Sequence, residues 1–358
     1  MNKNFWAGKT IFLTGHTGFK GSWLSIWLKL LGSDLVGYSL GPPTQPSLFD
    51  LTSLKDEMTS IIGDIRDLKR LQSLIYSVQP EIVIHMAAQS LVLPSYENPI
   101  ETYSTNLMGT INVLESVRNC KSVKAVLIVT SDKCYKNREW VWGYREDDPM
   151  GGNDPYSCSK GCSELITDSY RKSFFNPDEY ARHAVGLASA RAGNVIGGGD
   201  WARDRLIPDI MASFINNQTL RIRFLNAVRP WQHVLEPLAG YLCLIEKLYH
   251  EGQSYSTAWN FGPSETDIRS VRWIVNRVSS LWGKDARFEI DNNSPSPEAG
   301  ILKLDSSKAR TLLRWVPKLN LDQALEWTVD WYKAYNQNID TSIRLIEEQI
   351  ISYQLLGS

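Results

Sequence analysis

The stretch Thr14-Gly15-His16-Thr17-Gly18-Phe19-Lys20-Gly21 limits what this chain can become more than any other segment. It follows a β-prone run from Thr10 to Leu13 and opens a helix-like stretch from Gly21 to Leu31. Glycines at three-residue intervals allow tight turning and close backbone approach, because none carries a Cβ. A strand that turns through such a loop into a helix offers an anion unpaired N–H groups and the positive end of the helix dipole. The spacing predicts a dinucleotide pyrophosphate held by Gly15, Thr17, Gly18, Phe19, Lys20 and Gly21. It is wider than the one-then-two gap of the common dinucleotide fingerprint.

Further strand-like runs follow at Leu35 to Tyr38, Ser60 to Ile62, Ile82 to Met86, Val126 to Thr130 and Val185 to Ala190. Helical stretches at Leu68 to Val78, Pro99 to Val117 and Pro155 to Phe174 separate several of them. Strands joined by helices of this length imply right-handed crossovers and a parallel sheet covered on both faces. The predicted class is therefore α/β, a doubly wound, Rossmann-type sheet with its ligands beyond the carboxyl ends of the strands. After about Gly193 the pattern loosens into helices such as Pro237 to His250 and Ser270 to Leu281, with a long helical stretch from near Leu321. The expected layout is a dinucleotide-binding and catalytic domain over 1–192 and a smaller cap over 193–358, some of whose segments return to the sheet.

Bulk properties exclude several classes. The 358 residues are 43% hydrophobic and 22% charged, enough for an ordinary buried core. A net charge of -1 supplies no general field for nucleic acid or an anionic membrane. No apolar run reaches the roughly 20 residues of a membrane span, and a cytoplasmic protein is expected. Five scattered cysteines argue against a disulfide framework, and the five histidines show no metal-ligand spacing, so no metal is expected.

The second strand ends Gly37-Tyr38-Ser39-Leu40, with neither the carboxylate common in NAD enzymes nor a cation for a 2′-phosphate. NAD is favoured over NADP for want of that cation, with Ser39 serving the ribose hydroxyl.

Two segments point to chemistry. In Asp154-Pro155-Tyr156-Ser157-Cys158-Ser159-Lys160, Asp154 suits a helix N-cap and Pro155 the first turn. Tyr156 and Lys160 then share a helical face. A phenol is a poor base at neutral pH unless a nearby cation favours phenolate. The other segment, Thr130-Ser131-Asp132-Lys133-Cys134-Tyr135, closes a buried strand. Ser131 can hydrogen-bond a hydroxyl that Tyr156 deprotonates. Asp132 suits a general acid for loss of a hydroxyl as water, and Lys133 a base beside a new ketone.

Over nearly its whole length the chain resembles the extended short-chain dehydrogenase/reductase family. Residues 14–24 and 130–135 are similar to those of its CDP-glucose 4,6-dehydratases. Related dTDP-glucose and GDP-mannose dehydratases carry an acid, usually glutamate, where this chain has Lys133. The resemblance implies NAD as a regenerated cofactor and CDP-glucose as substrate. It implies oxidation at C4 by Tyr156 with Lys160, and proton removal at C5 by Lys133 or a water it holds. Asp132 protonates the departing C6 hydroxyl, and hydride returns to C6. It further implies that Asp64 and Ile65 meet the adenine, that Ala87 and Ala88 line the nicotinamide side, and that Ser90 lines the sugar pocket. Asn194, Arg205 and Arg229 fall on the nucleotide diphosphate, whose charge rewards bidentate donors. Arg203, Arg221, Arg223 and the loop from Glu298 to Lys303 are further candidates on the substrate side. The Pro99 and Pro155 helices resemble those of a four-helix interface, so a homodimer, or a tetramer of dimers, is expected. A nucleotide-sugar 4-epimerase would share every motif except Asp132 and Lys133, and a non-catalytic NAD sensor would lack the Tyr156/Lys160 pair.

Overall fold

The computed structural model describes residues 2–222, 224–290 and 300–357. Arg223 and the first two residues of the 298–303 loop lie outside them. Seven strands make one parallel sheet: β1 (Thr10–Thr14), β2 (Asp34–Ser39), β3 (Thr59–Ile62), β4 (Ile82–His85), β5 (Ala125–Val129), β6 (Gly186–Ala192) and β7 (Ala258–Phe261). Their order across the sheet is β7-β6-β5-β4-β1-β2-β3. The direction of winding reverses between β1 and β4, where Thr14 pairs with Tyr38 on one side and His85 on the other. A crevice opens beyond the strand ends at such a reversal.

Strand geometry sends successive side chains to opposite faces. Ile11, Leu13, Ile82, Ile84, Leu127 and Val129 pack on one face, beneath α1 (Phe19–Leu30) and the long helix Leu235–Tyr255. Phe12, Val83, Val126 and Ile128 pack on the other, beneath α2 (Leu68–Val78), α3 (Gly109–Arg118) and α4 (Pro155–Ser173). Both faces are dry, and that is why these strands read as continuous apolar runs rather than alternating ones.

The long helix expected from Pro99 to Val117 is present and carries a π turn within it. Pro99–Tyr103 runs into a π-helical turn at Ser104–Met108 before α3 begins. Such turns are frequent at functional sites.

The late chain divides its allegiance. The Leu235–Tyr255 helix, here α5, and β7 both belong to the main sheet. Asn194–Ile196, Val228–His233 and Ile268–Ser270 form a small three-stranded sheet beside it, and Leu220–Ile222 pairs with Phe288–Ile290. Two helices end the chain, α6 (Leu321–Gln337) and α7 (Ile339–Leu355). The last one packs onto α1, Tyr353 meeting Trp27 edge-on at 5.7 Å. Among the described residues no helix is long and apolar enough to cross a membrane, and all five cysteines are free.

Candidate active site

The glycine loop runs from the end of β1 into α1. Gly15 has φ +79° and lies against the chain leaving β4: a Cβ there would stand 2.6 Å from the Ala87 nitrogen. A Cβ on Gly21 would stand 2.0 Å from the Gly15 carbonyl oxygen. Both glycines are required by the protein's own packing. Gly18 is not, since its Cβ would meet only the Gly15 carbonyl oxygen, at an ordinary 3.5 Å. Gly18 is the N-cap of α1, and no side chain caps that helix. An uncapped N-terminus behind an unobstructed glycine is a fit for a dinucleotide pyrophosphate.

Neighbouring residues brace this turn. The Thr14 hydroxyl meets His85 Nδ1 at 2.7 Å and accepts from the Met86 and Ala87 amides at 3.1 and 3.2 Å. Thr17 bonds Ser39 at 2.9 Å and donates to the Leu40 carbonyl, tying the loop to the end of β2. Ser39 is thus a buried partner of Thr17, at the position expected to serve the ribose. Phe19 leans toward the later loop, 3.2 Å from where a Cβ on Gly197 would lie.

The adenine-side residues take a different form from that expected. Asp64 accepts a fork of hydrogen bonds from the Arg66 guanidinium and one from its amide. Those Arg66 bonds hold its carboxyl below the usual range. Ile65 is only 4% exposed and packs in the core below Gly109, so it offers the crevice little apolar surface.

Beyond β5, Ser131 caps a short 3-10 turn that spans Asp132–Cys134 and so includes Lys133. The Ser131 hydroxyl donates to Asp132 Oδ1 at 3.0 Å and accepts from the Lys133 amide. Lys133 Nζ lies 3.6 Å from the same carboxylate oxygen. Across from this turn, α4 begins as predicted, with Pro155 in its first turn and Asp154 accepting from the Ser157 amide at 2.8 Å. The Tyr156 amide is held by Ser95 Oγ at 3.1 Å. Burial pushes the Tyr156 phenol above its ordinary pKa, while Lys133 and hydrogen bonding with Ser131 pull against that rise. Arg205 adds a weaker pull in the same direction. Lys160 is itself buried, which lowers its pKa to about 8.

Lys20 joins this group. Burial, and then repulsion from Lys160, Arg205 and Lys133, lowers its pKa to about 7 against a pull from Asp132. The crevice thus gathers four basic side chains, Lys20, Lys133, Lys160 and Arg205, near the buried Asp132, with buried Asp200 beside Arg205 and buried Glu164 near Lys160.

The residues expected on the substrate side come from the chain after β4 and from later segments. Arg205 donates to Asp200 Oδ2 and to Ser90 Oγ, each at 3.0 Å, bridging the late chain to the segment after β4. Ala87 and Ala88 lie half-buried in that same segment. Asn194 begins the first strand of the small sheet, and its side-chain oxygen is buried with no protein partner among the described residues. Arg229 stands on the neighbouring strand, 7% exposed, donating to the Val228 and Gly300 carbonyls. Among the described residues no cluster suits a metal ion.

Several residues at the site escaped the sequence. Asn106, in the π turn, accepts from the Gln89 amide and donates to Gln89 O and Ser159 Oγ. Behind the reactive turn lies a sealed ion pair, Arg191 to Glu164 at 2.7 Å. Glu164 also accepts from Thr130 and Ser189, and Arg191 donates to the Tyr135 hydroxyl at 2.6 Å. The pair thereby grips both ends of the 130–135 turn. Tyr241, on α5, is buried with electrostatic contact to Asp132 and Tyr156. The one signal in sequence was a lone arginine inside the apolar β6 run, with Glu164 a helical turn beyond Lys160.

The fold and this constellation define a doubly wound enzyme with a tyrosine–lysine helix beside a dinucleotide loop. The chain belongs to the GDP-mannose 4,6-dehydratase family, whose pattern it matches over residues 12–328. It is 57% identical over 343 residues to a CDP-glucose 4,6-dehydratase of Salmonella typhimurium, covering 96% of both chains. It is 25% identical to a UDP-glucose 4-epimerase of Halalkalibacterium halodurans, covering 92% of this chain and 98% of that one. The crystal structure of dTDP-glucose 4,6-dehydratase from Bacillus anthracis in complex with NAD superposes with a TM-score of 0.76 at 21% identity, covering 94% of this chain and all of that one.

Proposed function

We propose that this chain dehydrates CDP-D-glucose to CDP-4-keto-6-deoxy-D-glucose, using NAD as a regenerated cofactor. The observation that carries this reading is the Ser131-Asp132-Lys133 turn set against Tyr156, which supplies an acid and a second base beyond what C4 oxidation alone needs. High identity to the Salmonella enzyme supports the choice of nucleotide.

Gly15, Thr17, Gly18, Phe19, Lys20 and Gly21 would hold the cofactor diphosphate, and Ser39 and Asp64 its adenosine. Ala87, Ala88, Tyr156 and Lys160 would flank the nicotinamide. Bound there, NAD would supply reversible hydride acceptance between C4 and C6. Tyr156 accepts the C4 hydroxyl proton, with Ser131 orienting that hydroxyl. Lys133 removes the C5 proton made acidic by the new ketone, and Asp132 protonates the C6 oxygen as it leaves. Ser90, Asn194, Arg205 and Arg229 would hold the sugar and its diphosphate. Arg205 fits both, since its guanidinium already spans from Asp200 to Ser90.

Exposed Ile100 and Met108 on the Pro99–Arg118 stretch, and Leu165 on α4, support a dimer formed through these helices. A cytoplasmic location completes the reading, in keeping with five free thiols.

The test is incubation with CDP-, dTDP-, UDP- and GDP-sugars, following the alkali-induced absorbance of a keto sugar. A 4-keto-6-deoxy product from CDP-glucose, with no net NADH release, is expected. A simple 4-epimer as sole product would remove the dehydratase reading.

A further inference from the structure

We infer that Tyr135 is a positioning residue for the elimination step: with Arg191 and Asn260 it holds the Asp132–Lys133 end of the reactive turn, while oxidation at C4 proceeds without its help. The inference rests on the dehydratase reading above. It adds that the two chemical steps are served by groups fastened in different ways. Oxidation draws on Tyr156, Lys160 and Ser131. Elimination draws on Asp132 and Lys133, further along the turn.

The turn is secured differently at its two ends. At the Ser131 end the chain still belongs to the sheet: the Thr130 amide donates to the Ala190 carbonyl at 2.9 Å, and the Thr130 hydroxyl donates to Glu164. At the far end the backbone bonds lead only to a loop, from the Gly151 amide to the Cys134 carbonyl at 2.8 Å and from the Lys136 amide to the Pro149 carbonyl at 2.9 Å. The link back to the sheet there is the Tyr135 hydroxyl. It accepts from Arg191 Nη1 at 2.6 Å and donates to Asn260 Oδ1 at 2.7 Å, which uses both roles a phenol offers. Arg191 on β6 and Asn260 on β7 are register partners, so both side chains leave the same face of the sheet. Each is itself pinned, Arg191 to Glu164 at 2.7 Å and Asn260 to the Tyr144 and Asp305 carbonyls at 2.8 and 3.1 Å. All three members of the tether are buried. Tyr156 and Lys160 are placed by α4 instead, through its Asp154 cap and the Ser95 bond to the Tyr156 amide. Neither of those supports passes through Tyr135, and the Arg191–Glu164 pair does not need its hydroxyl. A reacting group displaced by about an ångström loses on the order of a hundred-fold in rate.

The test separates the two steps in a single turnover. Tyr135→Phe removes the hydroxyl and keeps the ring that stacks on Tyr144 at 5.0 Å. Excess holoenzyme is mixed with CDP-glucose while NADH absorbance and keto sugar are followed together. The expected result is NADH that builds on the variant as C4 is oxidised, then decays with keto-sugar formation at a rate at least about ten-fold below that of wild type. A smaller folded fraction lowers amplitudes and cannot produce this pattern. Keto sugar that forms slowly with no NADH build-up overturns the inference, because oxidation has then become the slow step. An unchanged keto-sugar rate overturns it as well. Arg191→Lys gives a second reading, available even if Tyr135→Phe yields no folded protein. Its single ammonium can face Glu164 but cannot also serve Tyr135, so the same NADH build-up is expected. The two changes combined should be no slower than the slower of them alone, since one tether is lost once. Slowing that multiplies in the double variant overturns the shared tether. Wild type that forms no keto sugar from CDP-glucose is a separate result and strikes the dehydratase reading itself.

Discussion

A side chain on Gly15 or Gly21 would drive into backbone, while one on Gly18 would sit in ordinary contact. Gly18 also has extended dihedrals, φ −80° and ψ 167°, that alanine adopts without strain. Gly18→Ala should therefore leave the melting temperature nearly unchanged yet weaken NAD binding at least ten-fold, about 1.4 kcal/mol. Gly15→Ala should cost stability outright, by about 1–3 kcal/mol, because of its positive φ and the clash with Ala87. Thermal melts with and without NAD distinguish the two, and equal behaviour of both variants counts against a pyrophosphate at Gly18. Lys20 makes a second prediction. Its pKa of about 7 lies below the ordinary lysine value of 10.5. Between those values the unfolded chain holds a proton that the native one lacks, so this residue makes stability rise with pH across that window. An anion in the crevice favours the charged form, so nucleotide binding at about pH 8 should take up protons. Calorimetry in buffers of different ionisation enthalpy measures this uptake, which should shrink in Lys20→Met. Undiminished uptake would place the titrating group elsewhere. Spacing alone put Lys20 in the loop; its crowding by Lys160, Arg205 and Lys133 depends on segments far apart in the chain.

At the scale of elements, the strands and α2 were legible because burial on both faces and amphipathic periodicity each leave a direct imprint. The π turn at Ser104–Met108 was not, since one extra residue in a helical turn leaves apolar periodicity nearly intact. Asn106 went unseen with it. Another contact beyond the reach of local pattern is Glu236, in the first turn of α5. It is 1% exposed and accepts from the Lys318 and Leu319 amides and from the Tyr353 hydroxyl. Burial raises its pKa to about 7 from 4.5. The native state then binds more protons than the unfolded chain between those values. Stability contributed here is present below the unfolded value and is lost as pH climbs through 7, by up to about 3 kcal/mol. Glu236→Gln keeps an acceptor for both amides and should flatten that fall, raising the melting temperature more at pH 8 than at pH 5. An equal shift at both pH values would mean that Glu236 does not titrate in this range.

On the scale of the whole molecule, the doubly wound sheet and its crevice could be read from the order of runs in the first half. The second half resisted because its pieces are shared out. Helix α5 and β7 complete the main sheet, α7 lies on α1, and only the short strands between form separate small sheets. A linear boundary at residue 193 describes the chain's order better than its architecture. Tyr135 shows why: held by Arg191 within 1–192, its hydroxyl also donates to Asn260 Oδ1 of the later half, at 2.7 Å.

That grip has a bearing on how such a protein can change over generations. The reactive turn is bolted from behind by a sealed charge pair, so it tolerates little drift. Asn194 and Arg229 hang on separate short strands. On the function proposed above, substitutions there would retune which nucleotide is admitted while the bond-breaking apparatus stays as it was, so new preferences could be explored without first dismantling the reaction.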